Sequence, residues 1–348
     1  MKKIICLSIV IVHVACSGSS TNTIVTPPQQ KDTTFVNPLL SSGADPWVYQ
    51  KDGSYYFMST SGNNITIRKT AAMSELGQSS PVVVWMPPAA GPNARNIWAP
   101  ELHYLQGKWY LYYTAGSSSD LATQRCFVLE NTNQDPLQGQ WIDKGKIGDP
   151  AAGFFSIDGT VMEYKGKNYF IWSGQISGTD ITQRIYIAEM ENPWTLRTAR
   201  IQISMPQYEW EKHGSPVNEG PEILQNASGQ FFLIYSASSC GTDDYALGML
   251  QLKKDGDPLD PANWTKAKEP VFTKSIDHHV YGPGHNGFFI SKDGKENWII
   301  YHANPQSGQG CGGARCPCMQ RFTWNADGTP QFGVPADPYY KLTKPSGE

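Results

Sequence analysis

The chain has 348 residues, a formal net charge of −3 and only 17% charged residues. Its lysines and arginines form no basic stripe, so nucleic acid is excluded as the expected partner. The 33 glycines and 25 prolines indicate many tight turns between short strands rather than long helices, and 348 residues suffice for one all-β domain.

Residues 1–16 are predicted to be an export signal. A positively charged start is followed by an apolar stretch over residues 4–14, which is too short to stay in a bilayer as a spanning helix. A small residue precedes Cys16, as in bacterial lipoprotein cleavage sites, although His13 stands where leucine is usual. We therefore expect an exported lipoprotein, periplasmic or on the outer membrane or cell surface, anchored to the membrane through Cys16. Simple secretion is the alternative. Residues 17–34, rich in Ser, Thr, Pro and Gln, are predicted to be a flexible tether.

From residue 35 onward, a glycine turn is followed five times by a short aromatic strand. The turn glycines are Gly53, Gly107, Gly166, Gly229 and Gly294. Their spacing of roughly 54 to 65 residues indicates repeated structural units rather than one continuous sheet. Three or four antiparallel strands per repeat form a propeller blade. We therefore predict an all-β fold, a five-bladed β-propeller over residues 35–348.

One ionisable residue precedes each glycine turn. These residues are Asp45, Glu101, Asp158, Glu219 and His285. Taken singly, an aspartate before glycine or proline is typical of a turn. Their similar place in successive repeats instead predicts that the innermost strands bring them to one end of the central channel, which would form an active site.

Five cysteines follow the predicted signal, at positions 126, 240, 311, 316 and 318. The odd number leaves at least one thiol unpaired within a monomer, and the pairing is open. The cluster Cys311, Cys316 and Cys318 lacks the two CxxC pairs of a typical zinc site. A disulfide or buried thiols are therefore expected rather than a structural zinc.

Four short blocks surround the acidic residues of the repeats: Ala44-Asp45-Pro46, Trp98-Ala99-Pro100-Glu101, Ile157-Asp158-Gly159-Thr160 and Glu219-Gly220-Pro221. In order and spacing they resemble the sequence blocks of glycoside hydrolase family 43, over about residues 37–335. Two further segments, residues 281–286 and 320–330, are similar to the exo-acting arabinan-degrading branch. The resemblance implies a five-bladed propeller that releases terminal α-L-arabinofuranose from arabinan or arabino-oligosaccharides of plants, with inversion at the anomeric carbon.

The resemblance also implies three catalytic carboxylates. Asp45 corresponds to the general base, Glu219 to the general acid, and Asp158 to a third carboxylate that orients the acid and raises its pKa. An inverting hydrolase needs its base and acid about 6.5–9.5 Å apart, with water between base and sugar. Glu222 is a rival for Glu219, but it begins an apolar run and is expected to lie past the pocket. Glu101 is interpreted as a structural charge.

Three further residues are substrate-binding candidates. The Trp98 indole would pack on a furanose ring, with core packing as the alternative. Arg321 resembles the arginine that reaches the pocket in the family, with a surface salt bridge as the alternative. His285 is predicted at the channel axis, where the resemblance implies a water or a calcium ion held mostly by waters, and a purely structural histidine is the alternative. No cofactor is expected to be required.

Other functions are weighed on the same residues. A β-xylosidase or an endo-arabinanase of the same family would differ in loops that the sequence does not describe. A glycan-binding surface lipoprotein without activity is disfavoured because all three carboxylates are present. A fructan hydrolase is disfavoured because the chain has no Arg-Asp-Pro block and Asp45 lies in Gly-Ala-Asp-Pro-Trp.

Overall fold

The computed structural model describes residues 32–348. The predicted signal peptide, Cys16 and the tether up to residue 31 therefore lie outside the described residues. Thr34, the last residue of the predicted tether, is in a short strand. Within residues 32–348 no helix is long and apolar enough to span a membrane. The helical segments of this part are short 3-10 turns at Met73–Gln78, Leu121–Thr123, Glu209–Glu211 and Pro261–Asn263.

The strands form five antiparallel blades in chain order, after a short first strand β1 (Thr34–Phe35). Blade 1 contains β2 (Trp47–Lys51), β3 (Ser54–Met58), β4 (Ile65–Thr70) and β5 (Pro81–Trp85). Blade 2 contains β6 (Arg95–Leu105), β7 (Lys108–Gly116), β8 (Arg125–Asn131) and β9 (Ile142–Lys146). Blade 3 contains β10 (Ser156–Tyr164), β11 (Lys167–Gly174), β12 (Arg184–Asn192), β13 (Thr195–Leu196) and β14 (Ile201–Ser204).

Two more blades complete the propeller. Blade 4 contains β15 (Asn218–Gln225), β16 (Phe231–Ala237), β17 (Ala246–Leu252) and β18 (Trp264–Lys266). Blade 5 contains β19 (Tyr281–Ile290), β20 (Asn297–Asn304), β21 (Cys316–Trp324) and β22 (Pro330–Gln331). The first strands β2, β6, β10, β15 and β19 contact one another in a closed ring, so they surround the central channel. The predicted five-bladed β-propeller is confirmed.

The aromatic repeat marks the second strand of every blade. The five turn glycines all have φ between 71° and 81°, a conformation that glycine adopts without strain. The strands that follow are buried on both faces because each blade is packed between two others. Large rings fill the space between blades, as where Tyr56 of blade 1 meets Trp109 of blade 2, with ring centroids 5.5 Å apart. Five hydrophobic clusters result, each drawn from two neighbouring blades.

The ring is closed by the segment that leads to Asp45. Strand β1 pairs with β23 (Leu342–Thr343) near the chain end. The Asn37 side chain then exchanges two hydrogen bonds with the backbone of Met319. Further along, the Gly43 N–H donates to the Arg315 carbonyl at 3.0 Å. The first and last blades are thereby joined beside the point where Asp45 enters the channel.

Candidate active site

Each innermost strand carries an irregularity at the same end of the channel. The residues there have left-handed φ values of 56°, 40°, 55°, 52° and 47°, and they are Asp45, Ala99, Asp158, Gly220 and His285. In β6, β10, β15 and β19 the strand register shifts at these positions, so each is a β-bulge. A bulge re-aims its side chain away from the regular ladder. Asp45, Asp158 and His285 are therefore presented from equivalent positions, as the repeat predicted.

The other two predicted repeat positions are not equivalent to these three. Glu219 precedes its bulge by one residue and pairs with Ser236, as Trp98 precedes its bulge and pairs with Thr114. Glu101 follows its bulge by two residues, and Glu222 occupies the same register in β15. The expectation of one common position is corrected, because a two-residue offset in sequence moves a side chain along the channel rather than around it.

Three of these left-handed positions are held by polar side chains of the preceding blade. The Asp158 N–H donates to Thr114 Oγ1 at 3.0 Å, and the His285 N–H donates to Ser236 Oγ at 2.7 Å. The Asp45 N–H donates to His302 Nδ1 at 3.1 Å. These acceptors follow directly after the aromatic strand segments, so the sequence did carry a signal for them that was missed: a polar residue at the end of each aromatic run.

Asp45 is the best-anchored carboxylate of the site. Its Oδ1 accepts a hydrogen bond from Arg315 Nη1 at 3.0 Å, and its Oδ2 accepts one from Thr60 Oγ1 at 2.6 Å. His285 Nδ1 lies 3.3 Å from Oδ1. Burial alone would raise the pKa of Asp45, but Arg315 and the neighbouring histidines hold it well below its usual range. Asp45 is therefore ionised.

The two histidines beside Asp45 are neutral. Burial lowers the pKa of His302 to about 4 and also lowers the pKa of His285. Because His302 Nδ1 accepts the backbone N–H of Asp45, its proton is on Nε2. The positive charge that faces Asp45 at neutral pH is therefore that of Arg315.

Glu219 lies in blade 4, and its surroundings raise its pKa whereas those of Asp45 lower the pKa of that group. Burial raises the pKa of Glu219 to about 7, the hydrogen bond from Tyr245 opposes that rise, and the charge of Asp45 adds to it. The Tyr245 hydroxyl donates to Glu219 Oε1 at 2.9 Å and orients it. Glu219 is therefore protonated over much of the range in which Asp45 is ionised, a combination required of an acid and base pair.

Asp158 connects the two sides of the site. Its Oδ2 accepts the Gly220 N–H at 3.0 Å, next to Glu219 in the chain. Burial raises the pKa of Asp158 well above its usual range, and the charges of Glu219 and Asp45 raise it further. Asp158 and Glu219 thus disfavour each other's ionisation and titrate as a pair. Gly220 is required at this contact, since its φ is 52° and a Cβ would lie 3.2 Å from the His285 ring.

The predicted arginine was the wrong one. Arg321 is on the third strand of blade 5, has a side chain 56% exposed and pairs with Glu296 at 3.0 Å, outside the channel. Strand β21 carries each successive residue away from the site, so Arg321 is too far along it. Arg315, just before β21, supplies the guanidinium instead. Only the tertiary fold distinguishes the two arginines.

Trp98 is half-buried in blade 2, at the strand position equivalent to that of Glu219 in blade 4. Its indole is therefore presented at the active-site end of β6, which is compatible with a substrate contact.

Glu101 and Glu222 lie deeper in the channel, and Glu101 pairs with His103 at 3.0 Å. Burial, then the charge of Glu101, raises the pKa of Glu222 well above its usual range. Glu222 lines a cavity of about 400 Å³ at the opposite end of the channel, so it does not share the site of Glu219.

The cysteines form a disulfide rather than a metal site. Cys240 is bonded to Cys311, which removes Cys311 from the predicted cluster. Cys126, Cys316 and Cys318 are buried free thiols. Within residues 32–348 no group of three or more His, Cys, Asp or Glu side chains is arranged to hold a metal ion.

The channel axis does not supply a calcium ligand shell by itself. His302 Nε2 and both amide atoms of Asn286 are buried without a hydrogen-bond partner in the described part of the chain. Calcium prefers six to eight oxygen ligands, whereas a histidine offers nitrogen and Asn286 offers one oxygen. An ion at His285 would take its ligands mainly from water, and the chemistry of the site is derived without it.

Comparison with known proteins agrees with this arrangement. The family described as "Glycosyl hydrolases family 43" matches residues 35–330. The chain is 39% identical over 317 residues to an extracellular exo-α-(1→5)-L-arabinofuranosidase of Streptomyces avermitilis, an alignment that covers 89% of this chain and 65% of that protein. The chain therefore spans just under two thirds of that relative.

Two further matches cover more of the compared protein. An extracellular exo-α-(1→5)-L-arabinofuranosidase of Streptomyces chartreusis is 40% identical over 273 residues, which is 77% of this chain and 82% of that protein. The crystal structure of an α-L-arabinofuranosidase from Lactobacillus brevis superposes with a TM-score of 0.83 at 37% identity, covering 88% of this chain and 98% of the other.

Proposed function

Since the chain belongs to the glycosyl hydrolases of family 43, we propose that it releases terminal α-L-arabinofuranose from α-1,5-linked arabinan or arabino-oligosaccharides, with inversion at the anomeric carbon. The observation that carries this proposal is the pairing of an ionised Asp45 with a protonated Glu219 at one end of the channel. The two Streptomyces relatives named as exo-acting arabinofuranosidases support the substrate and the exo mode.

In this mechanism Asp45 is the general base. Its carboxylate takes a proton from water while the water oxygen bonds to the anomeric carbon. Arg315 and Thr60 hold both carboxylate oxygens, so the base enters the reaction already oriented. Glu219 gives its proton to the glycosidic oxygen as the bond between that oxygen and the anomeric carbon breaks. Tyr245 keeps the Glu219 carboxyl in one orientation for this transfer.

Asp158 has the third role. Its Oδ2 accepts the Gly220 N–H and so fixes the backbone next to Glu219, and its titration is linked to that of the acid, since an ionised Glu219 raises the pKa of Asp158. Trp98 and His285 are the proposed contacts to the sugar, and Arg315 replaces Arg321 as the arginine of the site. A calcium ion at the axis near His285 stays a proposal with water as its main ligand, and no step depends on it.

The catalytic roles are tested by measuring the hydrolysis rate of each variant on substrates whose leaving groups differ in their need for a proton. Glu219→Gln should lose nearly all activity on alkyl or sugar leaving groups but much less on an activated aryl arabinofuranoside, which departs without a proton. Asp45→Asn should lose activity on both, because water attack is needed in each case. Glu222→Gln is the matched control and should keep most of its activity. Full activity of Asp45→Asn or Glu219→Gln on arabino-oligosaccharides would refute the assignment.

Stereochemistry and substrate are tested separately. Proton NMR of the first-formed sugar should show the inverted anomer, and retention would exclude the mechanism. A panel of aryl arabinofuranoside, aryl xyloside, linear arabinan and arabinoxylan, with product lengths recorded, should give arabinose from arabinan. Longer products from arabinan would indicate an endo-arabinanase, and release of xylose would indicate a β-xylosidase. Binding of a glycan without any product would indicate a glycan-binding protein.

Export and a lipid anchor on Cys16 are part of the proposal. The two Streptomyces relatives are named extracellular, which supports export. The lipid anchor rests on the sequence around Cys16 alone.

A further inference from the structure

The long connection between β20 and β21 carries Arg315 to the base. This connection, residues 305–315, has no helix or strand and contains four glycines. Residues 305–308 and 311–313 are exposed, while the Arg315 side chain is only 14% exposed where it meets Asp45. A glycine-rich exposed connection has many accessible conformations, so something else must hold Arg315 in place.

A second connection at the same rim holds the acid. Residues 238–245 join β16 to β17 and end at Tyr245, whose hydroxyl donates to Glu219 Oε1. The Tyr245 ring also stacks on His302, with ring centroids 5.6 Å apart and planes 6° from parallel. The two connections therefore serve the two catalytic carboxylates from neighbouring blades.

The two connections are joined covalently. A disulfide bonds Cys240, in the connection of residues 238–245, to Cys311, in the connection of residues 305–315. Cys240 lies five residues before Tyr245, and Cys311 lies four residues before Arg315. Non-covalent contacts run beside the bond: Asp243 accepts the Gly308 N–H at 2.9 Å and also the Ser307 hydroxyl.

The backbones of the two connections pack closely against each other beside the disulfide, and this region is called the junction below. The Asn304 side chain donates to the Gly310 carbonyl at 2.9 Å. Gly310 has φ of 61°, and a Cβ there would lie 3.4 Å from the Gly241 carbonyl oxygen. Cys311 is exposed and Cys240 half-buried, so the junction is at the surface while the residues it serves are inside.

We propose that the Cys240–Cys311 disulfide is a positioning element for catalysis, which fixes Arg315 on Asp45 by fastening its flexible connection to the rim that carries Tyr245. The inference rests on the proposed roles of Asp45 and Glu219. A disulfide with a purely structural role would stabilise the fold but leave the turnover of the folded enzyme unchanged.

The charged and titratable groups that face Asp45 set the expected pH response. They are Arg315, His285, His302, Glu219 and Asp158. Of these, Arg315 lies on one of the two joined connections, whereas Glu219 and His302 lie on strands and meet the other connection only through Tyr245. Loosening it weakens the interaction that favours the carboxylate, so the acidic limb of the pH profile should move to higher pH.

The test compares native enzyme with the double variant Cys240→Ser/Cys311→Ser, assayed well below the melting temperature of the variant. We expect kcat to fall by about tenfold with a smaller change in KM, since misplacing a positioning group by about an ångström costs that much or more. Reduction of the folded native enzyme by a phosphine reductant should reproduce the loss, which keeps the test valid if the variant folds poorly. The same reductant should leave the double variant unchanged.

Arg315 provides the decisive arm. Arg315→Ala should lower kcat by about a hundredfold in the native background but by only about a further tenfold in the double variant, because the double variant has already weakened the interaction that Arg315→Ala removes. An unchanged kcat and acidic limb after complete reduction, or additive losses, would overturn the inference. Such a result from an enzyme that still needs Asp45 and Glu219 leaves the proposed function standing, whereas an active Asp45→Asn enzyme removes both.

Discussion

Removing the Tyr245 hydroxyl should change the pH dependence of hydrolysis in a defined direction. The hydroxyl donates to Glu219 Oε1 at 2.9 Å and so stabilises the carboxylate form, which lowers the pKa of Glu219. Tyr245→Phe keeps the ring that stacks on His302 and deletes this hydrogen bond together with the one between the hydroxyl and Ser236. The pKa of Glu219 should therefore rise.

The size of the shift follows from the strength of the bond. A hydrogen bond to a charged group contributes about 1.5–3 kcal/mol. One pKa unit corresponds to about 1.36 kcal/mol, so complete loss would raise the pKa of Glu219 by about one to two units. Water that reaches Oε1 in the variant recovers part of this, and we expect a shift of about one unit.

The sign can be read from the basic limb of kcat/KM. Burial raises the pKa of Glu219 to about 7, so activity of the native enzyme should fall as pH rises through that value and the acid ionises. In Tyr245→Phe the fall should begin at higher pH, so the ratio of variant to native activity should increase with pH. At low pH the variant should be slower, because Glu219 is then a weaker and less well oriented acid.

The matched control lies in the same blade. The Tyr235 hydroxyl donates to Glu211 Oε1, also at 2.9 Å and also buried, but away from the channel. Tyr235→Phe should lower the melting temperature without moving the pH profile. An unshifted basic limb in Tyr245→Phe, or a shift to lower pH, would refute the assigned role of Tyr245.

Three other expectations are accessible to simple assays. Arg315→Ala should lower kcat/KM by about a hundredfold, whereas Arg321→Ala, which breaks only an exposed pair with Glu296, should leave it within about twofold; equal losses would contradict the corrected assignment. Chelation should leave hydrolysis intact, while added calcium should raise the melting temperature if an ion is held by water near His285; loss of activity on chelation would show that the ion is required. Mass spectrometry of membrane fractions should find a diacylglycerol-modified Cys16, and Cys16→Ser should release the protein into the soluble fraction; an unmodified Cys16 would refute the anchor.

Much of the fold was accessible from the repeat. A turn glycine with positive φ and a following aromatic strand recur because every blade must turn tightly and then fill the space between its neighbours. The repeat also indicated Asp45 and Asp158, which both have a left-handed φ, of 56° and 55°, at the entry to their innermost strands. It was less accurate for Glu219, which lies one residue away from the equivalent position, because a β-bulge shifts register without leaving a mark in spacing.

The partners of the carboxylates were not accessible in the same way. Arg315 and Tyr245 reach the site from connections of blades 4 and 5, far in sequence from Asp45. Thr60 and His302 are the exceptions, since the polar residue after each aromatic run is a repeated feature that can be read without a structure. The choice between Arg315 and Arg321 depends on the direction of β21, which no local pattern records.

The sequence by itself therefore determined the architecture, because each repeat restates its turn glycine and aromatic strand, and it placed Asp45 and Asp158 at equivalent points of their repeats. The tertiary structure decided that Arg315 holds Asp45 and Tyr245 holds Glu219, because both reach the site from connections that carry no periodic feature. It also decided their protonation, since the ionised state of Asp45 and the protonated state of Glu219 come from Arg315 and burial rather than from the carboxyl groups themselves.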